Sequence, residues 1–523
     1  MASPERRSHR KRQIRSLDLP EPISQKEERL LKLALDKSLV DTTAAVFIPH
    51  TLAQAPTLTP SIEEFADPLA YIRANRHLIE PTGIVKIVPP AGWKPAFALD
   101  VDHVRFETKR QTINRLGEGL PYDDGLVYDF KAFQKQAEGF RALWESKLRA
   151  KGRDPGDALC WEQTYWEIVE GGEDVIVDYG NDVSTDDVGS GFPRPDLNDD
   201  VDALNDALDS PAYYTKTAWN LCKIPFAQGS VMRHLHDRIN GINVPWLYFG
   251  MTFATFSWHT EDNWLYSLNY HHRGHAKTWY GVPAHQVHDF DQAMKAMIPQ
   301  RFEDEPALMQ QLVTMMSPSW LLSRGVIVSR LVQTPGSFVV TLPGAYHAGF
   351  SHGFNCGEAV NFASADWLVP GRECRDLYRK NRRPPVIALD KLVWNLANEV
   401  EDMLTSDVAI LAEQLRALCD EETELRERVA RDGVSFTVRM PSEDPNSDEP
   451  DIKRRCVYCE QPCSLSTIIC ACVPDKASCP RHHAALCKCP ANRKCLVYWR
   501  SVDELEALVA NVDAELKTRR QDA

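Results

Sequence analysis

Between Trp246 and Phe362 the chain is a succession of short apolar runs separated by Gly and Pro turns. Val326-Ile-Val-Ser-Arg-Leu-Val332, Gly336-Ser-Phe-Val-Val-Thr-Leu-Pro343 and Glu358-Ala-Val-Asn-Phe-Ala363 are the clearest. Runs this short, rich in β-branched residues, read as strands, and many of them in series suggest a sandwich or barrel. Pro299 to Ser323 reads as a helical interruption of that series.

Within it lies Phe256-Ser-Trp-His259-Thr-Glu261. Alternate residues of a strand share a face, so a strand here presents an imidazole and a carboxylate side by side. His347, in Leu342-Pro-Gly-Ala-Tyr-His347, offers a third ligand. Two histidines and one carboxylate are the facial triad of non-haem Fe(II) oxygenases, which leaves positions open for co-substrate and dioxygen. A lone His-x-Glu occurs by chance in almost any long chain. Here Asn269 and Lys277 follow Glu261 at even spacing. A lysine facing into an iron pocket needs an acidic partner, because burying an unpaired ammonium is costly, and a dicarboxylic co-substrate supplies one.

Charge and cysteine usage narrow the partners. No apolar run reaches the roughly 18 residues that span a bilayer, so no membrane partner is expected. The N-terminus lacks the apolar core of a secretory signal. Its cluster Arg6-Arg-Ser-His-Arg-Lys-Arg12 reads equally as a nuclear import signal or as a solvated tail. The net charge of −14 argues against a general nucleic-acid binder and is compatible with a basic peptide substrate. Nine of the 14 cysteines lie between Cys456 and Cys495. Without a secretory signal they read as metal ligands rather than disulfides. Eight ligands in Cys456-x2-Cys459-x3-Cys463-x6-Cys470-x-Cys472-x6-Cys479-x2-His482-x4-Cys487-x-Cys489 would close two tetrahedral zinc sites, staples for a segment with little core.

Local patterns predict further elements. Ser24 caps a short amphipathic helix, and Ser61 with Glu64 makes a capping box ahead of Ile62, Phe65, Leu69 and Ile72. Gly83-Ile-Val-Lys-Ile-Val-Pro-Pro90 predicts a strand. Thr164–Glu170 and Val175–Val183, by alternation and β-branching, predict two more. Residues 194–209 form an acidic surface insert, residues 373–430 are helical, and Pro441–Asp451 is an acidic, proline-broken linker.

Val244-Pro-Trp-Leu-Tyr-Phe-Gly-Met251 through Pro283 resembles the JmjC domain of the 2-oxoglutarate-dependent histone lysine demethylases. It most resembles the JARID-type subfamily, which acts on lysine 4 of histone H3. Phe65-Ala-Asp-Pro-Leu-Ala-Tyr-Ile72, Gly83–Pro90 and Trp93-Lys-Pro resemble the JmjN element that packs on that barrel. Asp178-Tyr179-Gly with Gly189-Ser-Gly-Phe-Pro resembles the start of the JARID-type catalytic domain, and Leu486-Cys-Lys-Cys with Tyr498 its C5HC2 finger. The resemblance implies a mostly β catalytic core, a double-stranded β-helix of jelly-roll or cupin-like form, with flanking α-helices and a small C-terminal zinc-binding domain. The expected divisions are a charged tail (1–44), JmjN (45–98), a connecting segment (99–175), the JmjC barrel (176–372), a helical domain (373–440), the acidic linker (441–455) and the finger (456–510).

By resemblance His259, Glu261 and His347 hold iron, and Lys277 and Tyr179 take the far carboxylate of 2-oxoglutarate. Asn269 lies near its metal end, with Phe256 and Trp279 as apolar walls. Tyr248 and Asn361 match the methyl-lysine pocket, and Trp246 is a further candidate there because an aromatic tolerates positive charge, its alternative being core packing. Cys456, Cys459, Cys479 and His482 hold one zinc, and Cys470, Cys472, Cys487 and Cys489 the other, leaving Cys463 and Cys495 over. The implied reaction is oxidative N-demethylation with Fe(II), 2-oxoglutarate and O2, releasing formaldehyde and succinate. The implied partners are the histone H3 tail and chromatin or transcription complexes, in the nucleus. Between Val101 and Trp161 the Cys/His set of a PHD finger is missing, which implies a chain without the ARID and PHD modules and without a strong DNA-binding module. Gly274-His275-Ala276 departs from the family's Gly-Glu-Pro, and the nearby His271-His272 pair is expected at a strand end or turn. Two alternatives stay open: a demethylase of lysine 9 or 36 of histone H3, and a non-enzymatic chromatin adaptor.

Overall fold

The computed structural model describes residues 52–194, 210–299, 302, 314–440 and 454–522. The Arg6–Arg12 cluster, the helix expected after Ser24, and most of the 194–209 insert and 441–455 linker lie outside the described residues. Two short strands come first, β1 (Ala53–Gln54) and β2 (Thr57–Leu58). The expected capping box then forms: Glu64 N donates to Ser61 Oγ (3.3 Å) and Ser61 N donates to the Glu64 carboxylate (2.8 Å). It caps only a 3-10 turn, because Asp67-Pro68 starts a separate helix, α1 (Pro68–Ala74). Proline is favoured at the first helical position, and Asp67 accepts from Leu69 N and Ala70 N. β3 (Ile84–Ile87) follows as its Val/Ile run predicts.

Strands β4 (Arg105–Thr112) and β5 (Asp123–Asp129) lead to helices α2 (Phe130–Ala150) and α3 (Ala158–Val169). α3 corrects the strand expected over Thr164–Glu170. Its aromatic and β-branched residues favour a strand locally. However, Trp161, Tyr165 and Ile168 recur at helical spacing, all buried, and Asp157 caps the helix by accepting from Leu159 N (2.9 Å). Burial around most of the helix hid the polar stripe that marks an amphipathic one. The other expected strand is present as β6 (Ile176–Ser184).

Eight strands complete the core: β7 (Trp246–Gly250), β8 (Thr255–His259), β9 (Tyr266–Gly274), β10 (Lys277–Val282), β11 (Ser329–Gln333), β12 (Phe338–Thr341), β13 (Tyr346–Ser351) and β14 (Asn355–Phe362). Helix α4 (Val287–Met297) lies between β10 and β11. One sheet runs β1-β11-β10-β13-β8 and the other β2-β3-β12-β9-β14-β7-β6-β4-β5. Successive strands such as β8 and β9, or β9 and β10, belong to opposite sheets, the cupin-like winding expected from the sequence. Ala55, Ile84, Trp279, Leu331, Val339 and Phe256 pack together where the sheets meet. The residues before β4 supply strands to both sheets rather than only bracing them: β1 pairs with β11, and β3 with β12.

Helices α5 (Leu368–Asn381), α6 (Leu389–Asn398) and α7 (Thr405–Arg431) cover one end, as expected for 373–430. Their apolar faces share one core with α1, β9, β12 and β14. The last segment holds β16 (Ser466–Cys470) and β17 (Lys494–Tyr498), with β15 (Phe436–Arg439) parallel to β17. The helical and finger segments are therefore stitched across the boundary placed between them. Beyond β17, helix α8 (Val502–Asp522) adds Leu505, Leu508, Val512 and Leu516 to the core that contains α7.

A buried polar cluster helps lock α3 to the barrel. Glu162, fully buried, accepts from Arg330 of β11 (2.6 and 3.2 Å) and from Tyr280 Oη of β10 (2.8 Å). Trp166 Nε1 donates to that same hydroxyl (2.8 Å). Removing one partner of a buried pair strands the other charge. Glu162→Ala is therefore expected to destabilise the protein by ~3–5 kcal/mol in urea unfolding, with much of the loss recovered when Arg330→Met is added. A loss within about 0.5 kcal/mol would overturn this account.

Candidate active site and metal centres

β8 and β13 are antiparallel, and their register sets His259 opposite His347. The two ring centroids are 4.2 Å apart. Each imidazole is turned by its own strand: His259 Nδ1 meets Ser257 O at 2.7 Å and His347 Nδ1 meets Ala345 O at 3.2 Å. That leaves both Nε2 atoms for a ligand. β8 ends at His259, so Glu261 is reached by extended backbone (φ −63, ψ 151) beyond the strand. A left-handed turn at Asn263 (φ 51) and Trp264 (φ 50) holds it there. Asn263, fully buried, donates its N–H to Tyr378 Oη, accepts from Val386 N on Oδ1, and accepts from Trp367 Nε1 on its carbonyl. Glu261 Oε1 lies 3.2 Å from His347 Nε2, and one ligand atom from each of His259, Glu261 and His347 falls within 4.8 Å of the others. Burial would raise the Glu261 carboxyl, but the hydrogen bond and charge of His347 outweigh it and hold it at about 2. An ionised carboxylate and two aimed imidazole nitrogens fit a divalent metal.

Gly349 follows His347 across an irregularity in the β8–β13 pairing, opposite Phe256. A Cβ there would stand 2.2 Å from Thr278 O and 2.4 Å from the Phe256 ring, so only glycine lets that ring lie against the strand. Phe256 packs on Trp279 (centroids 4.5 Å), and Trp279 stacks beside His347 (6.1 Å). Lys277 begins β10 and is 2% exposed. Its Nζ lies 5.9 Å from the ring centroids of both Tyr248 and Phe256, and it makes no ion pair among the described residues. Burial pushes the Lys277 ammonium down to about 8. Tyr179 of β6 is buried, its phenol pushed up by burial, with its ring 6.3 Å from that of Tyr248. Asn269 and Lys277 thus come from opposite sheets. Their even spacing from Glu261 does not bring them together; the winding of the barrel does.

Two of the expected substrate-side residues make hydrogen bonds within the protein. Asn361 Nδ2 donates to Glu261 Oε2 (2.9 Å) and to Tyr266 O (3.1 Å), so it orients the triad carboxylate. Trp246 turns its indole to the adjoining loop, donating to Asn240 Oδ1 (2.7 Å) and lying over Gly241. Gln333 is a residue that sequence reasoning missed. Its Oε1 accepts from Trp279 Nε1 (2.9 Å) and its Nε2 donates to Asn269 Oδ1 (3.1 Å), clasping two site residues together. No local pattern marks it, since a glutamine ending a strand is ordinarily a surface residue.

In the C-terminal segment Cys456, Cys459, Cys479 and His482 gather in one cluster, and Cys470, Cys472, Cys487 and Cys489 in a second. Cys479 Sγ is 3.2 Å from His482 Nδ1 and 3.9 Å from Cys459 Sγ. Cys472 Sγ is 3.3 Å from Cys470 and 3.4 Å from Cys489. These separations exceed a disulfide bond and suit thiolates around one ion. Cys463 is buried beside the first cluster, and Cys495 lies on β17, outside both. The segment's own apolar core is small, which is why metal staples fit it.

Comparison with known proteins agrees with this geometry. Residues 246–362 match the family described as JmjC domain, hydroxylase; residues 56–89 match the jmjN domain; residues 456–508 match the C5HC2 zinc finger. The chain is 35% identical over 549 residues to JMJ16 of Arabidopsis thaliana, covering 89% of this chain and 44% of that protein. It is 34% identical over 522 residues to the lysine-specific demethylase JMJ703 of Oryza sativa subsp. japonica, covering 89% and 41%. To the lysine-specific demethylase 5D of Homo sapiens it is 38% identical over 349 residues, covering 66% and 22%. It spans less than half the length of each of these relatives. The chain is built from a JmjN element, a JmjC domain and a C5HC2 zinc finger, in that order.

Proposed function

We propose that this protein is an Fe(II)- and 2-oxoglutarate-dependent histone lysine demethylase acting on lysine 4 of histone H3 in the nucleus. The observation that carries the reading is the His259–Glu261–His347 cluster beside a buried lysine without an acidic partner among the described residues. With Fe(II), 2-oxoglutarate and O2 bound, the site supplies oxidative removal of an N-methyl group, releasing formaldehyde, succinate and CO2. The chain's residues bind and orient. Ser257 and Ala345 carbonyls aim the two imidazoles, and Asn361 fixes the second carboxylate oxygen of Glu261. Lys277 is the charge for the far carboxylate of 2-oxoglutarate, with the Tyr179 hydroxyl beside it. Asn269 serves the metal end, and Gln333 holds it in place. Phe256 and Trp279 keep the space dry. Tyr248 faces the methylammonium, where an aromatic tolerates positive charge without a tight ion pair. Trp246 and Asn361 border the same pocket in this reading, Asn361 from its post on Glu261. The net charge of −14 suits a basic histone tail. The similarity to the human demethylase 5D supports lysine 4, and chromatin complexes are the partners that this substrate implies. Each cysteine cluster holds one structural zinc.

Purified protein with Fe(II), ascorbate and 2-oxoglutarate is expected to remove ~14 Da per methyl, the mass of a CH2, from a trimethyl-lysine-4 H3 peptide, with no loss for His259→Ala. Loss only at lysine 9 or 36 would overturn the lysine-4 assignment. Full biological activity of the His259→Ala protein would favour the adaptor instead. Lys277 predicts a pH dependence. Its ammonium loses its proton as pH rises through about 8, so kcat/KM for 2-oxoglutarate, which reports the free enzyme, is expected to fall over that range. Lys277→Arg, always charged, should abolish the fall. An identical profile in that variant would remove Lys277 from the role. Metal analysis should find about two zinc ions per chain, dropping to about one in Cys459→Ala or Cys472→Ala. Undiminished zinc in either variant would refute the pairing.

A further inference from the structure

The roles above leave a buried histidine of the barrel unused. His271 and His272, expected at a strand end or turn, both lie within β9. His272 is accounted for: its Nε2 is 2.8 Å from Glu358, whose carboxylate also accepts from Ser190 Oγ (2.7 Å) and Gly191 N (2.9 Å). His271 is 0% exposed, and among the described residues neither ring nitrogen makes a hydrogen bond of good geometry, the Arg273 backbone being the polar group that acts on the ring from its own strand. The β9–β14 register is regular from Tyr266↔Phe362 to His271↔Gly357, so His271 shares the face of Asn269, two residues earlier. Gly357 stands opposite it. A Cβ built there would have Lys277 Nζ at 3.6 Å and Asn269 Oδ1 at 3.8 Å, so glycine leaves these groups facing a common space. Burial, with the Lys277 charge nearby, holds His271 well below the usual histidine range. A neutral imidazole keeps one N–H to donate. Buried polar groups in native proteins are nearly always satisfied, and an unsatisfied one in a binding space marks where a ligand sits.

We propose that His271 is a positioning residue for the acidic co-substrate, donating its ring N–H to the far carboxylate that Lys277 pairs with. That carboxylate is then gripped from β9 and β10 at once, and the site selects 2-oxo dicarboxylic acids over monocarboxylic ones. The proposal rests on the 2-oxoglutarate reading above.

The test is calorimetric binding of 2-oxoglutarate and of 2-oxopentanoate, which lacks the far carboxylate, to the full chain loaded with Mn(II). His271→Leu is expected to weaken 2-oxoglutarate about tenfold or more and to leave 2-oxopentanoate unchanged. His271→Gln, which restores an N–H donor, should recover most of the loss. Thermal unfolding of the ligand-free His271→Leu protein should show no fall in Tm, since the substitution removes an unsatisfied polar group from the interior. Unchanged 2-oxoglutarate binding in His271→Leu, or equal weakening of both acids, overturns the proposal. Lys277→Met separates the two readings. If it weakens 2-oxoglutarate while His271→Leu does not, His271 alone is refuted. If neither variant changes binding, or the wild-type protein binds no 2-oxoglutarate, the co-substrate assignment falls and takes His271 with it.

Discussion

The antiparallel pairing of β8 with β13 is the constraint on which the site depends. It sets two imidazoles opposite each other across neighbouring strands, the closest approach that side chains of a sheet make. Backbone carbonyls two residues earlier on each chain then choose which nitrogen of each ring faces outward. The triad carboxylate is not part of that pairing. It arrives through a left-handed turn whose cost of order 1–3 kcal/mol per strained residue is offset by the hydrogen bonds that Asn263 makes to the helical cap. A metal site needs its ligands held before the ion arrives, and here one sheet and one helical layer divide that task.

The interior beside the triad is polar in a selective way. Trp279, Gln333 and Asn269 form a clasp in which donors and acceptors are matched. Glu162 and Arg330 satisfy each other on the far side of the same sheet. Among the described residues Lys277 makes no ion pair and His271 no side-chain hydrogen bond of good geometry, and both lie beside Asn269. A buried group without a partner costs the fold stability, so a protein tolerates it where binding supplies the partner.

The modules are joined by strands rather than by linkers. The segment before β4 threads β1 into one sheet and β2 and β3, which lie in the jmjN match, into the other, so the sheets are incomplete without it. The C-terminal finger borrows β15 from the helical segment and returns α8 to pack in the core that contains α7. Arg481 of the finger also pairs with Glu421 of α7 (2.7 Å). The segment that carries the cysteine clusters is therefore tied to the helical cap by a strand, a helix and an ion pair.

The sequence by itself determined which ligand-bearing residues the candidate site can draw on. Ligand types, their local spacing in His259-x-Glu261, the cysteine series and the alternation of short strands are local properties, and local periodicity is what side-chain direction follows. Local cues failed where burial overrode pattern. The aromatic run around Tyr165 reads as a strand and is a helix, and His271 reads as a strand-end or turn residue and is interior to β9. Only the tertiary structure decided which distant residues meet. The winding of strands between two sheets brings Lys277 to Asn269, carries Gln333 to Trp279 and sets Asn361 on Glu261, and no spacing along the chain encodes contacts made across a barrel.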